Sequence, residues 1–204
     1  MKTRLWWLAT LVLTLVFGGQ LVANQLRPAP TLHASWAFSP KNMREARDKA
    51  QSIVLAEVVA VAPGDDIVTA APGEPNNEDR IPTQKITVRV IKSYKGDAKA
   101  EQQLTLFQTG GTVVAPVEVA EGQKPPLGTL PQVILEGDPL YQAGEQYLLM
   151  LESTDKGMLR TIAPEGRYRI GNAGSLEAMV DNDVTKEAKG QSLANIEKTL
   201  LVAK

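Results

Sequence analysis

The chain is 204 residues long, with 22 basic and 23 acidic side chains, a formal net charge of −1, an apolar fraction of 43% and a charged fraction of 22%. This is ordinary globular usage, and it excludes a chain disordered throughout or one that crosses a membrane many times. A charge near zero gives no basic field for nucleic acid or anionic lipid. The absence of cysteine excludes disulfides, thiol catalysis, a cysteine-based zinc site and a lipid-modified cysteine anchor.

Lys2 and Arg4 precede Leu5 to Phe17, an apolar run broken only by threonines, and together they read as the charged start and apolar core of an export signal. Ala23 is small enough for cleavage, whereas Leu21 is large for the position two residues earlier. Residues 1–23 are therefore expected to be a signal peptide or an uncleaved membrane anchor, since a membrane helix needs ~20 apolar residues. Lys2 and Arg4 stay in the cytoplasm in either form, so the rest is expected to be exported, secreted or held on the extracytoplasmic face. Residues 24–38 contain Arg27-Pro28-Ala29-Pro30 without periodicity and read as an extended spacer. Residues 39–204 are expected to be one domain.

That domain opens on a helix, with Ser39 as cap, Pro40 in the first turn, and Met43, Ala46 and Ala50 on the face turned to a sheet. Trp36 and Phe38 are expected to staple its start. SIVLAEVVAVA follows, apolar on both faces and therefore a central strand. Pro63 to Pro82 reads as a long, mobile hairpin loop, because Pro, Gly, Asp and Asn dominate it. Ile86, Val88 and Val90 alternate against Thr87 and Arg89 in a half-buried strand, and Ile91 breaks the alternation, which predicts a bulge. Lys95-Gly96-Asp97 is a turn, with Gly96 at positive φ. Gln103 to Thr109 returns as a strand, ended by Gly110-Gly111 and continuing past a bend over Thr112 to Ala115.

From Pro116 to Asp138 the chain is again rich in Pro and Gly, with a short edge strand expected at Gln132 to Leu135. Ala143-Gly144-Glu145 turns the chain into QYLLMLE, the most hydrophobic strand. Met158 to Ala163 and Arg167 to Ile170 read as two shorter strands separated by Pro164-Glu165-Gly166. Ser192 caps a last helix whose Leu193, Ile196, Leu200 and Leu201 form an apolar stripe.

Three stretches carry a resemblance by their order and spacing: AQSIVLAEVVAV at Ala50 to Val61, VIKSYKGD at Val90 to Asp97, and AGEQYLLML at Ala143 to Leu151. The set resembles the netrin module, the tissue inhibitors of metalloproteinases, and bacterial exported domains of unassigned role. The resemblance implies a mainly β (α+β) domain, an OB-like barrel of five to six strands with an N-terminal and a C-terminal helix, preceded by one N-terminal hydrophobic helix. The animal inhibitors chelate the protease zinc through an N-terminal cysteine, which this chain lacks. The resemblance therefore implies the barrel without that mechanism. Nucleic-acid binding by OB barrels needs a basic, aromatic groove, and the composition does not supply one.

His33, the only histidine, falls in the spacer with no scaffold to orient it as a base. Asp181-Asn182-Asp183 begins like a calcium loop, but Lys186 stands where the glycine belongs and Ser192 where the closing glutamate belongs. Asp65, Asp66, Glu74, Glu78 and Asp79 read as solubilising charges of a loop. Lys95 and Glu145 are charged residues on rigid turns. Glu57 lies inside a strand apolar on both faces, so it is expected at the barrel rim or paired with Arg89 or Arg167.

Glu57, Lys95 and Glu145 are thus candidate interaction or structural-polar positions, and no pattern calls for a catalytic group, cofactor or metal. The reading is a non-enzymatic, extracytoplasmic binding module whose partner is a protein or another extracytoplasmic molecule. Nucleic acid is not among its partners, and the membrane is one only through residues 1–23 if they stay uncut. The loops at 63–82 and 116–138 are its expected recognition elements. Two alternatives stand beside it: a protease inhibitor acting through a loop or the N-terminal segment, and a hydrolase with an unrecognised carboxylate site.

Overall fold

The computed structural model describes residues 31–32, 38–71, 74–112 and 132–201. The N-terminal apolar run, His33, Trp36 and the strand continuation expected beyond Thr112 lie outside the described residues. Among the described residues, no helix is long and apolar enough to cross a membrane.

A short strand, β1 (Thr31–Leu32), falls within the segment expected to be a spacer, and the helix α1 (Met43–Lys49) follows it. The helix starts later than the sequence suggests, because Asn42 rather than Ser39 is its cap. The Asn42 side chain accepts the Glu45 amide at 2.8 Å, and the Glu45 carboxylate accepts the Lys41 amide at 2.7 Å. An acid three residues past the cap is what lets the first turn return a bond to the chain before it. Met43, Ala46 and Ala50 are buried, as their spacing predicts, and Phe38 packs against the same cluster.

The strand β2 (Ser52–Pro63) leads into a hairpin, β3 (Ile67–Ala71) and β4 (Glu74–Ile81), and then β5 (Thr83–Lys95) pairs back along β2. The stretch expected to be a long, mobile hairpin loop is a paired two-stranded ribbon. β6 (Gln103–Thr109) pairs with β5. After it, β7 (Gly111–Thr112) and β8 (Gln132–Leu135) join β1 in a small sheet of order β1-β8-β7. β9 (Gln146–Ser153) lies on the other side of β2, and β10 (Leu159–Thr161) closes the ring, antiparallel to β9 and parallel to β6.

The fold is thus mainly β, with a closed barrel of five strands, β2, β5, β6, β9 and β10. Bulges let the strands bend around it. Leu55 pairs with Lys92 and Ala56 with Val90, so Ile91 is the bulged residue that the broken alternation predicts, and a second register jump skips Tyr94. Gly96 takes the positive φ expected, +87°, and a Cβ there would meet the Gln51 carbonyl at 3.0 Å.

Two cores result from period-two alternation. Val54, Ala56, Val58, Ile86, Val88, Val90, Leu106, Tyr147, Leu149 and Leu151 fill the barrel. Ile53, Leu148 and Met150 point outward, under α1 and the C-terminal elements. β9 also splits lengthwise. Its second half pairs with β10, and its first half with β11 (Arg167–Ile170), which carries a further short strand, β12 (Leu176–Ala178), that the sequence did not suggest. The Pro164–Gly166 turn moves the chain along β9, and a Cβ on Gly166 would come within 2.9 Å of the Ile162 side chain and 3.3 Å of Met150. The C-terminal part is two short helices, α2 (Asp183–Lys186) and α3 (Leu193–Ile196), the second widening into a π-turn over Glu197–Leu201. Ser192 caps α3 by accepting the Asn195 amide at 3.3 Å, and Ile196 and Leu200 are buried, as expected.

Candidate functional site at the barrel mouth

Glu57 stands on the outer face of β2 directly opposite Arg89 of β5, and the two pair at 2.6 Å. Arg89 also reaches the Glu101 carboxylate at 3.3 Å. The hydrogen bond that Arg89 donates to Glu57 is the chief reason that its guanidinium binds its proton more tightly than usual. Of the two partners the sequence offered Glu57, it has Arg89. The pair is partly open to solvent, which suits a cross-strand staple.

Lys95, at the end of β5, donates to the carbonyls of Arg47 and Asp48 at 3.1 and 2.9 Å. These belong to the last turn of α1, where carbonyls lack helical partners and the helix dipole is negative. Earlier on the same strand, Lys92 reaches the Glu197 carboxylate at 3.1 Å, and the Tyr94 hydroxyl donates to it. Burial and that carboxylate push the Tyr94 phenol up, and the same bond holds Glu197 below its ordinary range. The end of β5 therefore ties both helical parts to the barrel. Lys95→Ala is expected to lower stability by about 0.3–1 kcal/mol, the range for a cation at a helix C-terminus. Urea denaturation checks the loss, and amide exchange should be faster in α1 than in β9.

Glu145 lies where the chain enters β9, at the open end of the barrel. One carboxylate oxygen accepts the Tyr147 hydroxyl and the other accepts Arg169 Nη1 at 2.9 Å. Arg169 also spans to Glu177 of β12, through Nε at 2.8 Å and Nη2 at 2.5 Å. Burial pulls the Glu145 carboxyl upward, but the bonds from Tyr147 and Arg169 outweigh it and hold the group below its ordinary value of 4.5. A cleft of about 680 Å³ opens over this row, lined by Gly144, Glu145, Arg169, Asn172 and Glu177.

Behind that row sits Arg167, only 1% exposed. Strand parity in Arg167-Tyr168-Arg169 turns both arginines to the barrel side and Tyr168 to the outer core. The Arg167 guanidinium lies 4.2 Å from the centre of the Tyr141 ring and 5.7 Å from that of Tyr147. It pairs with the Asp138 carboxylate at 3.1 Å and donates to the Pro139 carbonyl. The two tyrosines meet edge to face with ring centres 5.1 Å apart. Gln108 of β6 donates to the carbonyls of Asp138 and Pro139 at 3.3 and 3.1 Å, and its buried cross-strand neighbour is Gln84.

Burial sets the protonation in this cluster. It pushes the Tyr141 phenol up to about 12. It also lifts the Asp138 carboxyl above its ordinary value of 3.8, although Arg167 and Gln108 pull it back. For Arg167, burial opposes the charge, but Tyr141 and Asp138 outweigh it and keep the guanidinium charged. The barrel mouth is thus closed by a buried cation lying between two aromatic rings and one carboxylate.

Arg167, expected as an alternative partner of Glu57, pairs instead with Asp138. The available signal was an acid placed against the apolar run Pro139-Leu140-Tyr141, together with an arginine in a strand that ends in tyrosine-flanked alternation. The other acids singled out are paired or lie elsewhere. Asp183 meets Lys186 at 2.7 Å and Asp181 meets Lys189 at 2.9 Å, while Asn182 caps α2, which makes this stretch a polar turn. Among the described residues, no three His, Cys, Asp or Glu side chains group as metal ligands would.

Among the described residues, the hairpin β3–β4 forms a sheet of its own, with no ladder to a barrel strand. Its root is fixed. The Gly64 amide meets the Thr83 carbonyl at 2.8 Å, the Thr83 hydroxyl donates to the Asp65 carbonyl at 2.7 Å, and Lys85 pairs with the Asp65 carboxylate at 3.2 Å. No family model matches the sequence and no curated protein matches it, so neither comparison links the chain to the netrin module or to the metalloproteinase inhibitors.

Proposed function

We propose that this protein is an exported, non-enzymatic binding module, built on an OB-type barrel of the netrin kind, that contacts a protein partner through the β3–β4 hairpin. One observation carries the reading. A two-stranded ribbon stands in its own sheet on a closed barrel, and its base is pinned by Gly64, Asp65, Thr83 and Lys85. A recognition element needs both a free flank and a rigid scaffold. The barrel order supports the OB comparison: counted along the chain its strands run 1-2-3-5-4, with β6 and β10 as the parallel closing pair. The ion pairing of Glu57, Glu145, Glu197 and Asp138 suits acids that hold strands and helices in place. The apolar run at Leu5 to Phe17 supplies the route of export.

The test shortens the hairpin at residues 66–80 and, separately, the segment at 116–131, in the full chain. Each form is used as bait on extracytoplasmic fractions, with thermal unfolding as a check on the barrel. The expected result is loss of partner recovery on shortening the hairpin with the unfolding midpoint kept. Undiminished recovery on shortening the hairpin overturns the reading, whatever the other deletion does.

A further inference from the structure

The segment Asp138–Ala143 crosses the barrel mouth between Gly137 and Gly144, which take positive φ of 74° and 85°. At its ends the Asp138 amide meets the Leu135 carbonyl at 3.0 Å and the Gly144 amide meets the Val58 carbonyl at 2.8 Å. Between those points side chains hold it: Gln108 on the carbonyls of Asp138 and Pro139, and Arg167 on the Asp138 carboxylate, the Pro139 carbonyl and the Tyr141 ring. The strap thus lies between two left-handed glycines, fastened by side chains and not by a ladder, with Tyr141 set into the barrel core.

The fastening is also incomplete. Among the described residues, Arg167 Nε and Nη1 and Gln108 Oε1 are buried with no hydrogen-bond partner, and Asp138 Oδ1 sits at ion-pair distance from Arg167 but outside hydrogen-bond geometry. A partly satisfied buried polar network is less stable than an apolar plug of the same shape. The unused groups are the donors of a planar guanidinium, whose natural complement is a carboxylate seated squarely in its fork. Asp138 touches one edge of that fork and Tyr141 covers its face, from two different residues.

We propose that the barrel mouth is a binding site for a small aromatic carboxylate, and that the Asp138–Ala143 strap occupies it in the free protein. Asp138 stands in for the ligand's carboxylate and Tyr141 for its ring. Arg167 takes the carboxylate in its fork, Tyr147 meets the ring edge to face, and Gln108 offers its amide at the rim. The strap swings on Gly137 and Gly144; apart from its chain neighbours, no described atom stands within 4 Å of the position a Gly144 side chain would take, whereas one on Gly137 would meet the Val180 side chain at 2.9 Å. Because the strap competes, apparent affinity is lowered by the fraction of molecules in which it is seated. This site is separate from the hairpin surface, and the two readings fail independently.

The test uses the full chain labelled with 3-fluorotyrosine, followed by fluorine NMR. The chain has four tyrosines, and the Tyr141 signal is assigned by its loss in Tyr141→Phe. The probe is 4-hydroxyphenylacetate, with phenol and acetate as its separate halves. The expected result is a saturable move of the Tyr141 signal to a solvent-exposed position while the Tyr168 signal of the outer core stays in place. Each half alone acts at least about tenfold more weakly, a factor equal to 1.4 kcal/mol. Arg167→Lys, which keeps the charge and removes the planar fork, weakens the response. A Tyr141 signal unmoved by millimolar probe overturns the proposal. So does phenol acting as well as the whole probe, which would mark a plain apolar hole.

Discussion

Asp138→Ala is expected to lower the unfolding free energy by about 3–5 kcal/mol, the range for breaking a buried ion pair from one side. It leaves the Arg167 guanidinium, 1% exposed, with the Pro139 carbonyl and the tyrosine rings as its remaining company. An arginine cannot escape such a position by losing its proton. Arg167→Met is expected to be milder, because Asp138 can escape by gaining one. Burial already raises its carboxyl above the ordinary 3.8, and loss of Arg167 removes a charge that pulls it back.

The direction of the pH dependence follows. In Arg167→Met the folded-state pKa of Asp138 lies above the unfolded one, so the folded protein binds a proton that the unfolded chain releases. Stability then falls as pH rises from the unfolded value through the raised folded value, and levels off above it. The penalty of Arg167→Met relative to wild type is therefore smaller at pH 4 than at pH 7, whereas that of Asp138→Ala is larger at pH 4, because wild type alone gains from protonating its raised carboxyl. The double variant Asp138→Leu/Arg167→Met is expected to lie within about 1–2 kcal/mol of wild type, because nothing charged is then left buried. Urea denaturation of the four proteins at both pH values decides it. Equal penalties for the two single variants would mean that the pair is not desolvated in the way its burial indicates.

What the sequence made legible is what alternation encodes. β2, β5, β6 and β9 each bury one or both faces, and their apolar patterns mark their places. Even the bulge at Ile91 showed, as a break in that pattern. Glu57 with Arg89 was within reach for the same reason, since a hairpin register puts the two opposite one another. The β3–β4 ribbon is not legible as paired strands, because its stretch is dominated by turn-forming and charged residues and has no apolar alternation. β12 is three residues long with one buried apolar side chain, Leu176, which is too little signal.

The barrel mouth was illegible for a different reason. Arg167 meets Asp138 only because β9 gives its first half to β11 and its second half to β10, and that division is a property of barrel closure. Lys95 looked like an exposed turn charge, and its role depends on where α1 ends in space. Glu145 is legible as a charged residue on a turn, but its partner Arg169, shared with Glu177, comes from a strand that pairs in the same non-local way.

Leu148→Ala and Leu149→Ala remove the same atoms from adjacent, fully buried residues of β9, and are expected to loosen different parts of the molecule. Each should cost about 2–5 kcal/mol, as for other leucines truncated in close-packed cores. Leu149 faces the barrel interior with Val54, Ile86 and Leu106, and Leu148 faces the outer core with Met43, Tyr168 and Ile196, in clusters that share no member. Truncating Leu149 opens a cavity that all five barrel strands enclose, so amide exchange should accelerate by a similar factor throughout. Truncating Leu148 weakens the seat of α1 and α3, so the Ala50 and Ile196 amides, bonded to Ala46 and Ser192, should exchange earlier than those of the β2–β5 ladder. If the cores are separate, the double variant costs the sum of the two within about 0.5 kcal/mol. A coupling well beyond that, or uniform exchange in Leu148→Ala, would mean that the helices and the barrel open as one unit. The helical layer could then not move without unfolding the strands that carry the hairpin and the mouth.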